Sequence, residues 1–220
     1  MAVHPHTPQP GQPSASPEPV VYPVMEHFYT LQGEGAWAGV AAYFIRLGGC
    51  DVGCVWCDVK ESWPMEAHPR QTAEALVSAV LQHPARRVVI TGGEPLMHGC
   101  TALTQALRAA GCQVHVETSG AHPPSGTWDW ITFSPKKFKA PRAEWYRLAH
   151  ELKVIVYNRH DLTWAETHAE QLRAAGNTHC LLYLQPEWET PDAPAWIVDH
   201  VKQHPHWRIS LQTHKYLRIP

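Results

Sequence analysis

The sequence predicts an α/β fold: an open, partial barrel of about six parallel strands with few helices. Two observations carry this. Runs rich in β-branched and aromatic residues alternate with stretches of helical periodicity, the pattern of a parallel sheet covered by helices. One connection, residues 120–129, is too short for a crossover helix, so a complete eight-fold barrel does not fit. No internal repeat is visible.

In chain order, the strand-like runs fall at residues 41–47, 87–91, 113–117, 130–133, 152–157, 180–184 and 207–212. Helical periodicity falls at 72–82, 101–110, 161–175 and 194–203, the second stopping at Gly111 and the third at Gly176, as helices tend to. The first 23 residues differ. They run from His4-Pro5-His6-Thr7-Pro8 through Ser14-Ala15-Ser16-Pro17-Glu18-Pro19, and this proline-rich, small polar composition cannot build a core. Residues 1–23 are expected to form a disordered tail, and residues 24–220 a single domain.

Composition narrows the function. The net charge of −2 and pI near 6.8 provide no basic stripe for a nucleic-acid partner. No apolar run approaches the roughly 18 residues of a membrane span. Neither a secretory signal nor an arginine-rich transit segment is visible, so the six cysteines read as reduced and the expected location is cytoplasmic. A small-molecule ligand follows. The chain has 16 histidines and 10 tryptophans. Most of the histidines lack ligand spacing and read as surface or helix-end residues, while Trp196 and Trp207 sit in apolar stretches.

Chemistry concentrates in Cys50-Asp51-Val52-Gly53-Cys54-Val55-Trp56-Cys57, directly after the first strand-like run. Three thiolates can hold three irons of a [4Fe–4S] cube, whereas ordinary electron-transfer clusters use four. One iron then stays open for a ligand. The same cysteines could close a zinc site with a histidine such as His68. Cys100, Cys112 and Cys180 lie in helix or strand patterns and read as buried small apolar residues.

Five turns each follow a strand: Gly48-Gly49-Cys50, Thr91-Gly92-Gly93-Glu94-Pro95, Glu117-Thr118-Ser119-Gly120, Ser134-Pro135-Lys136 and Gln185-Pro186. The carboxyl ends of parallel strands are where α/β folds bind ligands. Taken singly, each is only a turn, and Glu94 is only an acid at a helix start. Converging on one rim with a cysteine triad, they form a site. Gly92 and Gly93 let the backbone approach a ligand, and Glu94 can accept from an ammonium.

The triad and the Gly-Gly-Glu-Pro turn together resemble the radical SAM superfamily, in which S-adenosylmethionine binds the open iron. Within it the chain resembles the 7-carboxy-7-deazaguanine synthase family over residues 24–220. The matching segments are Leu31-Gln32-Gly33-Glu34-Gly35, Phe44-Ile45-Arg46-Leu47-Gly48-Gly49-Cys50, Cys54-Val55-Trp56-Cys57-Asp58, the four later turns, Gln212-Thr213-His214-Lys215 and Ile219-Pro220.

That resemblance implies a [4Fe–4S] cluster on Cys50, Cys54 and Cys57. It implies S-adenosylmethionine held by Trp56, Gly92, Gly93, Glu94, Ser119, Gly120, Ser134, Pro135, Lys136, Gln185 and Pro186. The implied substrate is 6-carboxy-5,6,7,8-tetrahydropterin, contacted by Leu31, Gln32, Gly33, Glu34, Arg46, Thr118, His214 and the terminal carboxylate of Pro220. A 5′-deoxyadenosyl radical takes hydrogen from the pterin, and the ring contracts with loss of ammonia, towards queuosine and related 7-deazapurines. The side chains suit these roles. Gln32 and Glu34 match an amino-pyrimidinone edge, and Arg46 has the planar fork that binds a carboxylate. The resemblance also implies an electron donor such as flavodoxin or ferredoxin, and a homodimer. One position departs from the family: where a hydroxyl normally follows Asp58, Val59 stands, and it cannot ligate a hard cation. Magnesium is therefore in doubt, with Asp58 as a possible ligand. Two alternatives stay open at this point, a glycyl-radical-activating enzyme and a zinc-stabilised binding module.

Overall fold

The structure is a computed structural model and describes residues 19–220. Its strands are β1 (Val21–Leu31), β2 (Ala41–Leu47), β3 (Arg70–Thr72), β4 (Arg87–Gly92), β5 (Gln113–Thr118), β6 (Trp130–Phe133), β7 (Glu151–Val156), β8 (Leu181–Pro186) and β9 (Trp207–Ile209). The helices are α1 (Ala73–Leu81), α2 (Thr101–Ala109), α3 (Glu144–Leu148), α4 (His160–Ala174), α5 (Ala193–Gln203) and α6 (Thr213–Leu217). All strands join one sheet in the order β3-β1-β2-β4-β5-β6-β7-β8-β9. From β2 onward every pairing is parallel and each new strand adds on the same side. This is the winding of a barrel. β3 and β9 do not pair with each other, so the barrel stays open.

Seven strands are therefore parallel, one more than expected, and two antiparallel strands that periodicity did not reveal extend the β2 edge. β1 contains Pro23 and a register shift between Val24 and Glu26, both of which blur a strand signal. Its start also corrects the domain boundary. Val21 to Pro23 pair with β3, and Tyr22 is buried, with its hydroxyl accepting from the Leu103 amide at 3.2 Å. Residues 1–18 of the expected tail lie outside the described residues.

Strand alternation divides the molecule in two. Val88, Ile90, Val114, Val116, Phe133, Leu152, Val154 and Leu184 face the helices, where they pack with Leu76, Leu103, Leu107, Leu172 and Ile197 in the main core. The other face of the same strands carries Thr91, His115, Glu117, Thr132, Lys153 and Gln185, so the concave side is largely polar. Near the β1–β2 edge this face turns apolar, with Phe28 and Phe44 stacked at 5.6 Å over Ala42 and Val89. The end opposite the turns is plugged. Trp37 meets Trp130 edge-on at 5.5 Å, His150 stacks on Trp130 at 5.2 Å, and the Arg87 guanidinium lies 4.1 Å above the Trp37 ring.

Helix ends follow local chemistry. Thr72 caps α1 by accepting from the Ala75 amide at 3.2 Å. Gly176 (φ 80°) ends α4, and the Asn177 amide turns back to the Leu172 carbonyl. The β5–β6 connection holds no helix and β6–β7 only the five residues of α3, as the short spacing requires. No described helix is long and apolar enough to cross a membrane.

Candidate active site

The carboxyl ends of the parallel strands surround a cavity of about 600 Å³. Every residue expected at the site lines it except Gly120 and Pro135. Gly120 (φ 73°) instead packs against Phe133 and Trp145, where a Cβ would come within 2.9 Å of both rings. It shapes the turn from beneath. Pro135 faces a smaller pocket behind Trp56.

All three loop cysteines are free thiols on the cavity wall. Burial raises the Cys54 thiol to about 11, against the pull of nearby Lys136. Burial also raises Cys50, although the amides of Val52 and Gly53 point at its sulfur and favour the thiolate. Such thiols keep their protons until a metal takes them. A single tetrahedral zinc would draw its sulfurs to about 4 Å apart. Among the described residues, these three do not gather within 4.8 Å of one another. His68, the fourth ligand weighed for zinc, lies against Gly48 outside the cavity lining. The wider triad suits a polynuclear cluster.

The cysteine loop and the Gly-Gly-Glu-Pro turn are built as one unit. Gly93 donates to the Leu47 carbonyl at 3.1 Å and Glu94 to the Gly49 carbonyl at 2.9 Å. A Cβ on Gly92 would sit 2.3 Å from the Leu47 oxygen, and one on Gly93 2.5 Å from the Gly49 oxygen. These glycines therefore admit the cysteine-bearing backbone as well as lining the cavity.

In this structure Glu94 is engaged by donors of the protein itself. Its carboxylate accepts from Thr118 Oγ1 at 2.7 Å, Ser119 N at 2.8 Å, Ser119 Oγ at 2.5 Å and Leu96 N at 3.1 Å. Four donors fill a carboxylate. A ligand ammonium reaches it only by displacing a hydroxyl, and what Glu94 does in this structure is clamp the end of β4 to the end of β5. Across the cavity, Lys136 Nζ donates to Ser134 O at 2.7 Å and Ser134 Oγ at 2.5 Å, and lies 5.7 Å from the Trp56 ring. Burial lowers this ammonium to about 8.

The concave face holds a buried polar network. Lys153 pairs with Glu34, which also accepts from Gln212 Nε2 at 2.9 Å. Burial by itself would raise the Glu34 carboxyl, but the Lys153 charge and hydrogen bond hold it well below the usual carboxylate range. Gln32 donates to Glu117 at 2.9 Å and accepts from the Glu34 amide at 3.1 Å. Lys153 was not among the expected site residues, and Glu117 entered only as the first residue of a strand-end turn, without a role of its own. The signal was present, since each alternates with apolar neighbours on a strand whose other face is core.

The C-terminal segment closes the cavity on the pterin-facing side of the expected site. Thr213 donates through its amide and its hydroxyl to Gly33 O at 2.9 and 3.0 Å, and His214 packs where a Gly33 side chain would be. This brings Pro220 to the rim, its oxygen accepting from Thr30 Oγ1 at 3.2 Å. Arg46 stands beside the Phe28–Phe44 shelf and donates its Nε to Glu26 at 2.7 Å. At the doubtful magnesium position, Val59 presents only hydrocarbon, and the Asp58 carboxylate accepts from Lys215 Nζ at 2.8 Å.

This fold and cysteine loop define a radical SAM protein, and the sequence model described as the Radical SAM superfamily matches residues 44–134. Similarity extends much further. The 7-carboxy-7-deazaguanine synthase of Flavobacterium psychrophilum is 54% identical, covering 90% of this chain and 92% of its own. That of a Synechocystis species is 52% identical, covering 91% and 94%. The crystal structure of QueE from Escherichia coli superposes with a TM-score of 0.78 at 34% identity, over 88% of this chain and 95% of that one. The chain belongs to the 7-carboxy-7-deazaguanine synthase family of radical SAM enzymes.

Proposed function

We propose that this chain converts 6-carboxy-5,6,7,8-tetrahydropterin to 7-carboxy-7-deazaguanine. The observation that carries the reading is one cavity lined by the cysteine triad, the Arg46 guanidinium, the Gln32–Glu34 loop and Pro220. A glycyl-radical activator has no need of Arg46 at its site.

Cys50, Cys54 and Cys57 would hold a [4Fe–4S] cluster, and the rim formed by Trp56, Gly92, Gly93, Ser119, Ser134, Lys136, Gln185 and Pro186 would hold S-adenosylmethionine. Bound together, these groups supply one-electron chemistry that removes a hydrogen atom from the substrate. The chain's own residues orient and shield. Phe28 and Phe44 give a flat apolar surface for a planar ring. The terminal nitrogens of Arg46 suit the substrate carboxylate, with Nε fixed by Glu26. Gln32 and Glu34 face the pyrimidinone edge, their rotamers held by Glu117 and Lys153. The aromatic plug keeps water out of the far end of the half-barrel.

A flavodoxin or ferredoxin would deliver the electron. A homodimer is supported by exposed apolar residues around α6, where Trp188 meets Tyr216 at 5.3 Å and Leu217 lies open. The Lys215 ammonium, paired with Asp58, would take over part of the cation's role, so stimulation by magnesium would be weak.

The test is anaerobic reconstitution followed by incubation with dithionite, S-adenosylmethionine and the pterin, with products read by mass spectrometry. Formation of 7-carboxy-7-deazaguanine supports the reading. Slow 5′-deoxyadenosine release without that product would sink the pterin assignment.

A further inference from the structure

Away from the cavity, the outer helices carry a cluster that the proposed reaction does not use. Glu166 projects from α4, His200 from α5, and His204 from the position that caps the end of α5. One ligand atom from each lies within 4.8 Å of the other two. His200 Nε2 is 2.9 Å and His204 Nδ1 3.8 Å from Glu166 Oε1, while His206, in the turn before β9, brings Nε2 to 3.8 Å from Glu166 Oε2. His200 and His204 are four residues apart, one helical turn, so both imidazoles share a face, with ring centroids 4.3 Å apart. Most histidines were read from the sequence as surface residues without ligand spacing. The carboxylate that meets these imidazoles lies 34 residues from His200, on another helix, so local spacing does not display the set.

The carboxylate is also held from behind. Trp207 Nε1 donates to Glu166 Oε1 at 2.8 Å, the kind of outer contact that fixes a metal ligand's orientation. An ordinary ion pair needs one imidazole. Three converging on a single carboxylate make a donor set of nitrogen and oxygen that suits zinc and its neighbours, not magnesium or calcium, which require oxygen.

We propose that Glu166, His200 and His204 bind one divalent transition-metal ion of the zinc class, with His206 or water as the fourth ligand. The ion ties α4, α5 and the β9 approach together. Its role is structural, since none of these residues lines the active-site cavity.

The experiment titrates zinc into untagged protein already loaded with its iron–sulfur cluster, so that Cys50, Cys54 and Cys57 are occupied. Calorimetry gives stoichiometry and affinity, and thermal unfolding gives stabilisation. One zinc per chain with micromolar or tighter affinity and a raised Tm is expected. His204 is 42% exposed, so H204A should fold; it should weaken binding by about tenfold or more and remove the Tm shift. H179A, at an exposed histidine outside the cluster, should leave both unchanged. Binding only at millimolar zinc, or binding undiminished in H204A, overturns the site. Tight binding without a change in Tm overturns its structural role.

Discussion

Lys153 and Glu34 form an ion pair inside the half-barrel, with side-chain exposures of only 6% and 14%. They come from opposite parts of the chain, β7 and the loop after β1. Gln212 also donates to Glu34, so this carboxylate ties the loop after β1 to both β7 and the C-terminal segment.

Removing one partner leaves a buried charge uncompensated, which costs about 3–5 kcal/mol. Lys153→Met should therefore lower the urea midpoint strongly at neutral pH. The Glu34 carboxyl titrates below its unfolded value of 4.5, so its contribution is complete above that pH and is lost as pH falls further. The wild type should lose stability on acidification in that range, and Lys153→Met should show a flatter dependence. Equal midpoints at pH 7 would refute the importance of the pair.

Glu151, two residues earlier on β7, has the opposite sign. Burial raises its carboxyl to about 7, partly offset by Lys153 and by the Ala36 amide donating at 2.9 Å. Its folded form binds the proton more tightly than the unfolded chain, so stability falls as pH rises from about 4.5 to 7. Glu151→Gln keeps an acceptor for Ala36 and removes the charge. It should be more stable than the wild type at pH 8, with the difference shrinking towards pH 5; unfolding curves at the two pH values decide this.

Gly93→Ala places a methyl 2.5 Å from the Gly49 oxygen and 2.6 Å from Cys50 Cβ. Both obstacles belong to the cysteine loop, which must shift. Most of the iron and sulfide taken up by the wild type on reconstitution should be lost, while the far-ultraviolet spectrum stays folded. Normal iron content would show that the loop and the turn are not coupled.

With Val59 at the cavity wall and Asp58 already paired to Lys215, chelation should reduce product formation only slightly. Val59→Thr should increase the response to magnesium. A large activity loss in chelated buffer, fully restored by magnesium, would contradict this.

The parallel strands β4 to β8 were legible because their outward residues must meet helices, which imposes β-branched apolar runs on the sequence. The antiparallel edge was not. β1 mixes Pro23, Glu26 and His27 into its strand, and β3 has three residues, too few for any period to show.

At the site, the cysteine loop and the strand-end turns were readable because metal chemistry and close backbone approach restrict residue type at fixed local spacing. Sequence by itself therefore determined the fold class, the ligand-bearing turns and the family. It could not reveal that Glu94 is spent on Thr118 and Ser119, or that Gly120 packs beneath the turn. Nor could it foresee that Lys153 pairs with Glu34, that Gln32 bonds to Glu117, or that Glu166 meets His200 and His204. Those facts depend on which distant segments meet, and only the tertiary structure decided them, because burial and pairing of polar groups are properties of three-dimensional neighbours and not of local spacing.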